Sequence, residues 1–109
     1  MSGNWVVVCQ DEDLTAGTGV CALVADEQVA VFKVRPSGEV FAISNYDPIG
    51  KANVLSRGIT GSIGDALVVA SPLYKQHFNL QTGECLEDAE QSVKTYNVRI
   101  NNGQIEVSA

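Results

Sequence analysis

Residues 96–107 read YNVRINNGQIEV, and this pattern of apolar and polar residues predicts a β-hairpin. The alternation runs up to Ile100, stops at the dipeptide Asn102-Gly103, and resumes at Ile105. Asn and Gly both tolerate positive φ angles, which the tight turn between two antiparallel strands requires. We therefore expect the C-terminal segment to form two paired strands.

Upstream of the hairpin, short β-branched runs are separated by turn residues. The chain contains 15 Val and 6 Ile against 7 Leu, and β-branched side chains favour strands over helices. Further strands are predicted at 4–9, 20–25, 28–35, 40–44, 67–71 and 77–80. The acidic segment 11–14 fits one helical turn, whereas 47–55 and 84–90 are expected to be loops. This pattern predicts an all-β fold, an antiparallel β sandwich or small barrel with few or no helical turns, built as a single domain from residues 1–109.

Charge and hydropathy exclude several classes of partner. The 109 residues carry 7 Lys and Arg against 13 Asp and Glu, a formal net charge of −6. Because phosphate backbones and anionic membranes are bound mainly by Lys and Arg, we expect neither nucleic acid nor a membrane as partner. The apolar runs are far shorter than the ~20 residues of a membrane-spanning helix. The N-terminus has no cationic stretch before an apolar one, so we expect a cytoplasmic protein.

Side chains suited to acid–base or nucleophilic catalysis are scarce. His77 is the single histidine, and its position out of phase with Phe78 and Leu80 is typical of a solvated strand residue. The carboxylates between Glu84 and Glu90 lack the spacing of a calcium loop, which favours a solvated acidic loop. No catalytic residue and no metal site are therefore predicted, and no activity is expected of the chain alone.

Two segments resemble the cluster-binding loops of Rieske iron–sulfur domains. Residues 71–83 read SPLYKQHFNLQTG and resemble the second loop, in which C-P-x-H is followed by an aromatic residue, an aliphatic residue and a Thr-Gly hairpin. Residues 40–47 read VFAISNYD and resemble the strand and the C-x-H motif of the first loop. The resemblance covers nearly the whole chain and implies a Rieske-like fold.

The residues at the four ligand positions differ from those of a cluster-bearing domain. Two Cys and two His hold a Rieske centre, and iron–sulfur clusters prefer thiolate ligands. The positions that the resemblance assigns to the ligands carry Asn45, Asp47, Ser71 and Tyr74. The three cysteines lie outside both loops and are expected to be reduced thiols. The resemblance therefore implies a Rieske fold without a cluster, and no cofactor in this chain.

The full-length pattern also resembles the small subunits of the NAD(P)H-dependent assimilatory nitrite reductases. The phrases that carry this resemblance are VLSRG at 54–58, VASPL at 69–73 and the segment 88–94. The family implies a large partner subunit that holds FAD, an iron–sulfur cluster and sirohaem and that reduces nitrite to ammonium. For this chain it implies an accessory subunit without a redox centre.

The former cluster loops are the surface that this resemblance favours for the partner, because cluster-bearing relatives make electron-transfer contacts there. Aromatic and Arg side chains are also favoured at the centres of interfaces. The residues expected to contact the large subunit are Tyr46, Ile49, Lys51, Arg57, Leu73, Tyr74 and Lys75. An alternative is that these side chains fill the space of the missing cluster and keep the loops folded.

Two other functions stay open at this point. The chain could be a cluster-less adaptor of a different oxidoreductase, since nothing in the residues alone identifies the partner. It could also be a Rieske ferredoxin with unusual ligands, although oxygen-bearing side chains suit hard cations better than iron–sulfur chemistry.

Overall fold

The computed structural model describes residues 5–34, 37–73 and 75–108, and its regular structure is almost entirely extended. The strands are β1 Trp5–Gln10, β2 Gly19–Val24, β3 Glu27–Lys33, β4 Val40–Ser44, β5 Tyr46–Asp47, β6 Ala52–Asn53, β7 Ile59–Ile63, β8 Ala66–Ala70, β9 His77–Asn79, β10 Thr95–Asn101 and β11 Gln104–Ser108. Short 3₁₀ turns lie at Asp11–Asp13, Leu55–Arg57 and Ala89–Gln91. The predicted all-β class is confirmed. Within the described ranges, no helix has the length and apolarity needed to cross a membrane.

Six strands form one antiparallel sheet in the order β1-β11-β10-β4-β3-β2. Strands β10 and β11 form the hairpin predicted from the sequence, with Ile100 opposite Ile105. The turn residues Asn102 and Gly103 have φ angles of 55° and 75°. These left-handed angles are least costly for Gly and Asn, so the dipeptide sets the turn and hence the register of the hairpin.

Strand β3 is buried on both faces and separates two apolar cores. Val29 and Val31 pack with Ile105 and Val107 of β11 in what we call the barrel core. Successive side chains of a strand point to opposite faces, so Ala30 and Phe32 pack into a different core. Strands β3 and β11 are not neighbours, since β4 and β10 lie between them in the sheet. The side chains of β3 and β11 meet because the twisted sheet curls into a nearly closed barrel.

A smaller sheet, β7-β8-β9, covers the other face of β3. Val69 of β8 and Phe78 of β9 pack against Phe32 and Ile43, and we call this cluster the inter-sheet core. All four of these side chains are fully buried. The two sheets are thus held together by apolar packing, which is worth roughly 25 cal/mol for each Å² removed from water.

Two loops meet at one end of this layer. The first loop, residues 45–58, follows β4 and contains the paired strands β5 and β6. The second loop, residues 71–76, joins β8 to β9. We call these two loops together the tip.

Sequence reasoning missed strand β7. This segment is mostly exposed and lacks apolar alternation, but it pairs with β8 from Ile59 opposite Ala70 to Ile63 opposite Ala66. The dipeptide Gly64-Asp65 between the two strands is the turn signal that could have revealed it. The segment 47–55, which was expected to be a loop, contains the second residue of β5 and all of β6. These two short strands pair with each other.

Candidate partner-binding site

A buried carboxylate joins the two loops of the tip. Asp47 lies at the end of β5, and its Oδ2 accepts a hydrogen bond from the hydroxyl of Ser71 in the second loop. Its Oδ1 accepts from the backbone N–H groups of Ile49 and Gly50, at 2.9 and 3.0 Å. Asp47 and Ser71 are both fully buried. Hydrogen bonds to a charged group contribute about 1.5–3 kcal/mol, so this contact is a main attachment of one loop to the other.

Both loops contain the same type of backbone turn. The backbone N–H of Lys51 donates to the carbonyl of Asp47 at 2.7 Å, and that of Lys75 donates to the carbonyl of Ser71 at 3.1 Å. Each is an i to i+4 turn, and each lysine sits in the left-handed region, with φ angles of 57° and 65°. That conformation costs a non-glycine residue about 1–2 kcal/mol. The tip therefore carries backbone strain at two lysines.

Asn45 is buried, but its side-chain hydrogen bonds go to residues other than Asp47 and Ser71. Its side-chain nitrogen donates to Gln28 Oε1 at 3.1 Å and to the Cys21 sulfur at 3.4 Å, both in the six-stranded sheet. Its side-chain oxygen accepts from the backbone N–H of Ser56 at 2.7 Å. Asn45 thus ties the first loop to strands β2 and β3. Sequence reasoning did not identify Gln28, Cys21 or Ser56, because hydrogen bonds between distant segments leave no local pattern.

The residues at the former ligand positions do not fit a [2Fe–2S] cluster. Asn45, Asp47 and Ser71 offer oxygen and amide donors in place of thiolate and imidazole, and their polar atoms are already bonded to other protein groups. The fourth position, Tyr74, lies outside the described residues. In the part of the chain that the structure describes, no group of three or more His, Cys, Asp and Glu side chains could hold a metal ion. The Asp47–Ser71 contact instead links the two loops directly.

Tyr46 lies on one side of the tip. It is 43% exposed and lines a hollow together with Glu27, Lys94 and Tyr96. The Glu27 carboxylate accepts from the Tyr96 hydroxyl at 2.6 Å and from Lys94 Nζ at 3.1 Å, and these two donors lower the pKa of Glu27. Burial, and then the Glu27 carboxylate, raise the pKa of Tyr96. This hollow therefore has an internally balanced charge.

Ile49, Lys51 and Leu73 lie where the loops touch. Ile49 is half-buried and packs against the inter-sheet core, so it supports the loop as well as lining the surface. A methyl group on Gly50 would clash with Leu73 Cδ1, which shows how closely the second loop approaches the first. Leu73 remains 46% exposed beyond this contact, and Lys51 is exposed.

Arg57 and Lys75 come together on a third side. Both are exposed and line a hollow of about 110 Å³ whose walls include Ile59 and Pro72. Ile59 is 73% exposed, although sequence reasoning did not select it because β7 was missed. Six of the seven predicted contact residues thus lie on three sides of the tip. The seventh, Tyr74, lies outside the described residues.

His77 pairs with the acidic loop. Its Nδ1 lies 2.6 Å from Glu87 Oε2, and its backbone N–H donates to Glu87 Oε1 at 2.8 Å. Hydrogen bonds from the backbone and then the ring of His77 lower the pKa of Glu87. His77 thus lies in strand β9 and forms a partly exposed hydrogen-bonded contact with Glu87.

Cations are distributed unevenly over the molecule. Lys33, Lys94 and Arg99 each pair with a carboxylate, at 2.7, 3.1 and 2.6 Å. Lys51, Arg57 and Lys75 form no ion pair with any described residue. All three belong to the tip, so among the six described Lys and Arg residues the unpaired positive charge lies at one end of an acidic chain.

Comparison with known proteins gives the family. The model of the Rieske-like [2Fe-2S] domain family matches residues 4–108. The chain is 48% identical to the nitrite reductase (NADH) small subunit of Salmonella typhimurium over 104 residues, which are 95% of this chain and 96% of that one. The chain belongs to the Rieske-like nitrite reductase small subunits. Its fold is similar to the NMR structure of the Escherichia coli protein NirD, with a TM-score of 0.90 and 47% identity over 100% of this chain and 98% of that one.

One relative of this small-subunit chain is a much longer protein. The nitrite reductase [NAD(P)H] large subunit of Klebsiella oxytoca is 36% identical over 104 residues, which are 95% of this chain but 11% of that protein. A segment similar to the whole small subunit is thus part of a large subunit's own polypeptide.

Proposed function

We propose that the chain is the small accessory subunit of an NAD(P)H-dependent nitrite reductase and acts by binding the large subunit. The 48% identity to a nitrite reductase (NADH) small subunit over nearly the full length of both chains carries this proposal. The Klebsiella oxytoca relative supports the choice of partner, because one polypeptide there combines a similar segment with the rest of a large subunit. Linkage in one chain raises the effective concentration of two binding partners into the millimolar range.

The chain's own contribution is a surface rather than a reacting group. Three of the positions assigned to ligands carry Asn45, Asp47 and Ser71. Their side chains form hydrogen bonds that keep the loops in place. A loop that is already ordered loses less conformational entropy when a partner binds it. FAD, the iron–sulfur cluster and sirohaem, which the family implies, are assigned here to the large subunit.

The proposal also covers the site, the domain and the location. The contact residues are Tyr46, Ile49, Lys51, Arg57, Leu73, Tyr74 and Lys75, on a single domain formed by residues 1–109 in the cytoplasm. The net charge of −6 supports a protein partner over nucleic acid or an anionic membrane.

The test is to measure nitrite-dependent NADH and NADPH oxidation by the purified holo large subunit, with and without this chain, and to run the mixture on size exclusion. Co-elution together with an increase in turnover is expected. A parallel reaction without nitrite shows whether the gain belongs to nitrite reduction. If both proteins are folded but neither co-elute nor change turnover, the assignment is wrong and the adaptor of another oxidoreductase becomes the leading function.

A further inference from the structure

The third side of the tip combines the features of a docking point for a carboxylate. Arg57 and Lys75 line one hollow, and neither forms an ion pair with a described residue. The described cations outside the tip, Lys33, Lys94 and Arg99, each pair with a carboxylate, so the lack of an ion pair is confined among the described residues to the tip. A charge left without an internal partner is available to an external one.

The backbone at Lys75 adds an independent observation. Its φ angle of 65° is one that glycine adopts at no steric cost, yet the sequence places a lysine there. Folding alone would favour glycine at this position. Strained residues of this kind are concentrated at functional sites, where the side chain is needed for something other than folding.

Part of the wall of the hollow is apolar. Ile59, which is 73% exposed, and the exposed Pro72 both line it beside the two cations. Interfaces often have this composition, with an apolar surface that packs and charged side chains at its rim that orient the partner. A free small anion would use the two cations but would leave this apolar surface in water.

We propose that this hollow receives an acidic side chain of the nitrite reductase large subunit, followed by an apolar residue that packs on Ile59 and Pro72. The inference rests on the proposed function and assigns its partner to one side of the tip. The carboxylate lies between Arg57 and Lys75, and the partner's apolar residue covers the exposed part of β7. The Tyr46 hollow, whose charges are already paired, is outside this contact.

The experiment measures the dissociation constant of the complex with the holo large subunit by titration calorimetry at 50 and 500 mM salt. The first variant is Arg57→Gln/Lys75→Gly, which removes both cations while relieving the backbone at residue 75. It should bind at least about tenfold more weakly at 50 mM salt, with a smaller loss at 500 mM, because salt screens exposed charges. The second variant is Ile59→Thr, which keeps a β-branched residue in β7 and should bind about threefold to tenfold more weakly at both salt concentrations.

Each variant has a matched control in the same chain. Lys94→Gln/Arg99→Gln removes two cations that lie outside the hollow, and Ile63→Thr makes the same apolar-to-polar change on the same strand but away from the hollow. Both controls should bind within about twofold of the parent, since energetically important contacts occupy a small part of an interface. Circular dichroism and thermal melts of all four variants verify the fold.

The possible results distinguish failure of the proposed surface from failure of the proposed function. If the parent binds and the variants at Arg57, Lys75 and Ile59 bind equally well, this surface is wrong while the accessory role stands. If the parent itself forms no complex, the proposed function fails and the inference fails with it. If the same variants instead abolish a dimer of this chain seen by light scattering, the occupant is a second copy, and the proposal is overturned.

Discussion

Different interactions stabilise the six-stranded sheet and the tip. The interior of the sheet is apolar, and two of its cations are paired with carboxylates, Lys33 with Asp11 and Arg99 with Glu106. The tip buries the polar side chains of Asn45, Asp47 and Ser71 beside the apolar Leu55, and its cations form no ion pair with a described residue.

The tip contains the buried residues Asn45, Asp47 and Ser71 and exposes Lys51, Arg57 and Lys75. Its stability depends on hydrogen bonds with defined partners, whereas the sheet depends on non-directional burial of apolar area. The contrast teaches that the sheet is organised for folding, while the tip gives up some stability and leaves its charge exposed, as the proposed contact with a partner requires.

The largest effect should come from the core of the sheets. Phe32→Ala removes a fully buried ring from the inter-sheet core and should lower the free energy of unfolding by about 3–5 kcal/mol. Urea denaturation followed by circular dichroism measures this loss. Leu23→Ala, at a 67% exposed position on β2, is the control and should change stability by less than about 0.5 kcal/mol. A similar small effect for Phe32→Ala would contradict the two-core description.

The next effect should come from the polar interior of the tip. Asp47→Ala leaves the Ser71 hydroxyl and the N–H groups of Ile49 and Gly50 without their acceptor, which should cost about 2–3 kcal/mol. The same urea titration measures it, and hydrogen exchange should show faster exchange at Gly50. Asp65→Ala, in the exposed β7–β8 turn, is the matched control. If the two Asp variants are equally stable, hydrogen bonding does not hold the tip.

A smaller effect of opposite sign is expected at the strained lysine. Lys75→Gly relieves the left-handed backbone but adds freedom to the unfolded chain, and the balance should stabilise the protein by about 0.5–1 kcal/mol. Lys94→Gly makes the same change at a residue without a positive φ angle, and it should destabilise the protein. A lower melting temperature for Lys75→Gly would show that the conformation is not strained.

The smallest effect should be a pH dependence near the tip. Because His77 lowers the pKa of Glu87, the ionised carboxylate contributes stability at neutral pH, and this contribution is lost as the pH falls below the usual value of 4.5. Glu87 is 46% exposed, so solvent screening keeps the effect small. Glu87→Gln should therefore be less stable than the parent at pH 7, and the difference should shrink by pH 3. Urea midpoints at pH 7, 5, 4 and 3 measure it, and a constant difference would rule out the pairing as its source.

Local signals predicted most of the fold. The Asn102-Gly103 turn lies where the sequence places it, and the β-branched runs form the strands of the main sheet. Strand β7 was missed because its residues form a strand through pairing with β8 rather than through their own pattern.

The candidate site was predicted less completely. The resemblance identified Asp47 and Ser71 as former ligand positions, but it could not show that their side chains bond to each other across 24 positions of the chain. It grouped Tyr46 with Arg57 and Lys75, whereas these residues line different hollows. Loop residues that are close in sequence point in different directions, and only the folded backbone fixes those directions.

The sequence by itself determined the all-β class and the hairpin register, because each depends on the identity of neighbouring residues, and it determined which residue types stand at the ligand positions that the resemblance assigns. The tertiary structure decided how the two loops are joined and where the charge lies. It brought the Asp47 carboxylate to the Ser71 hydroxyl, paired Lys33 and Arg99 of the sheet with carboxylates, and left the cations of the tip without an ion pair to any residue that the structure describes. These features are contacts between residues far apart in the chain, which exist only once the sheets have packed and brought the two loops together.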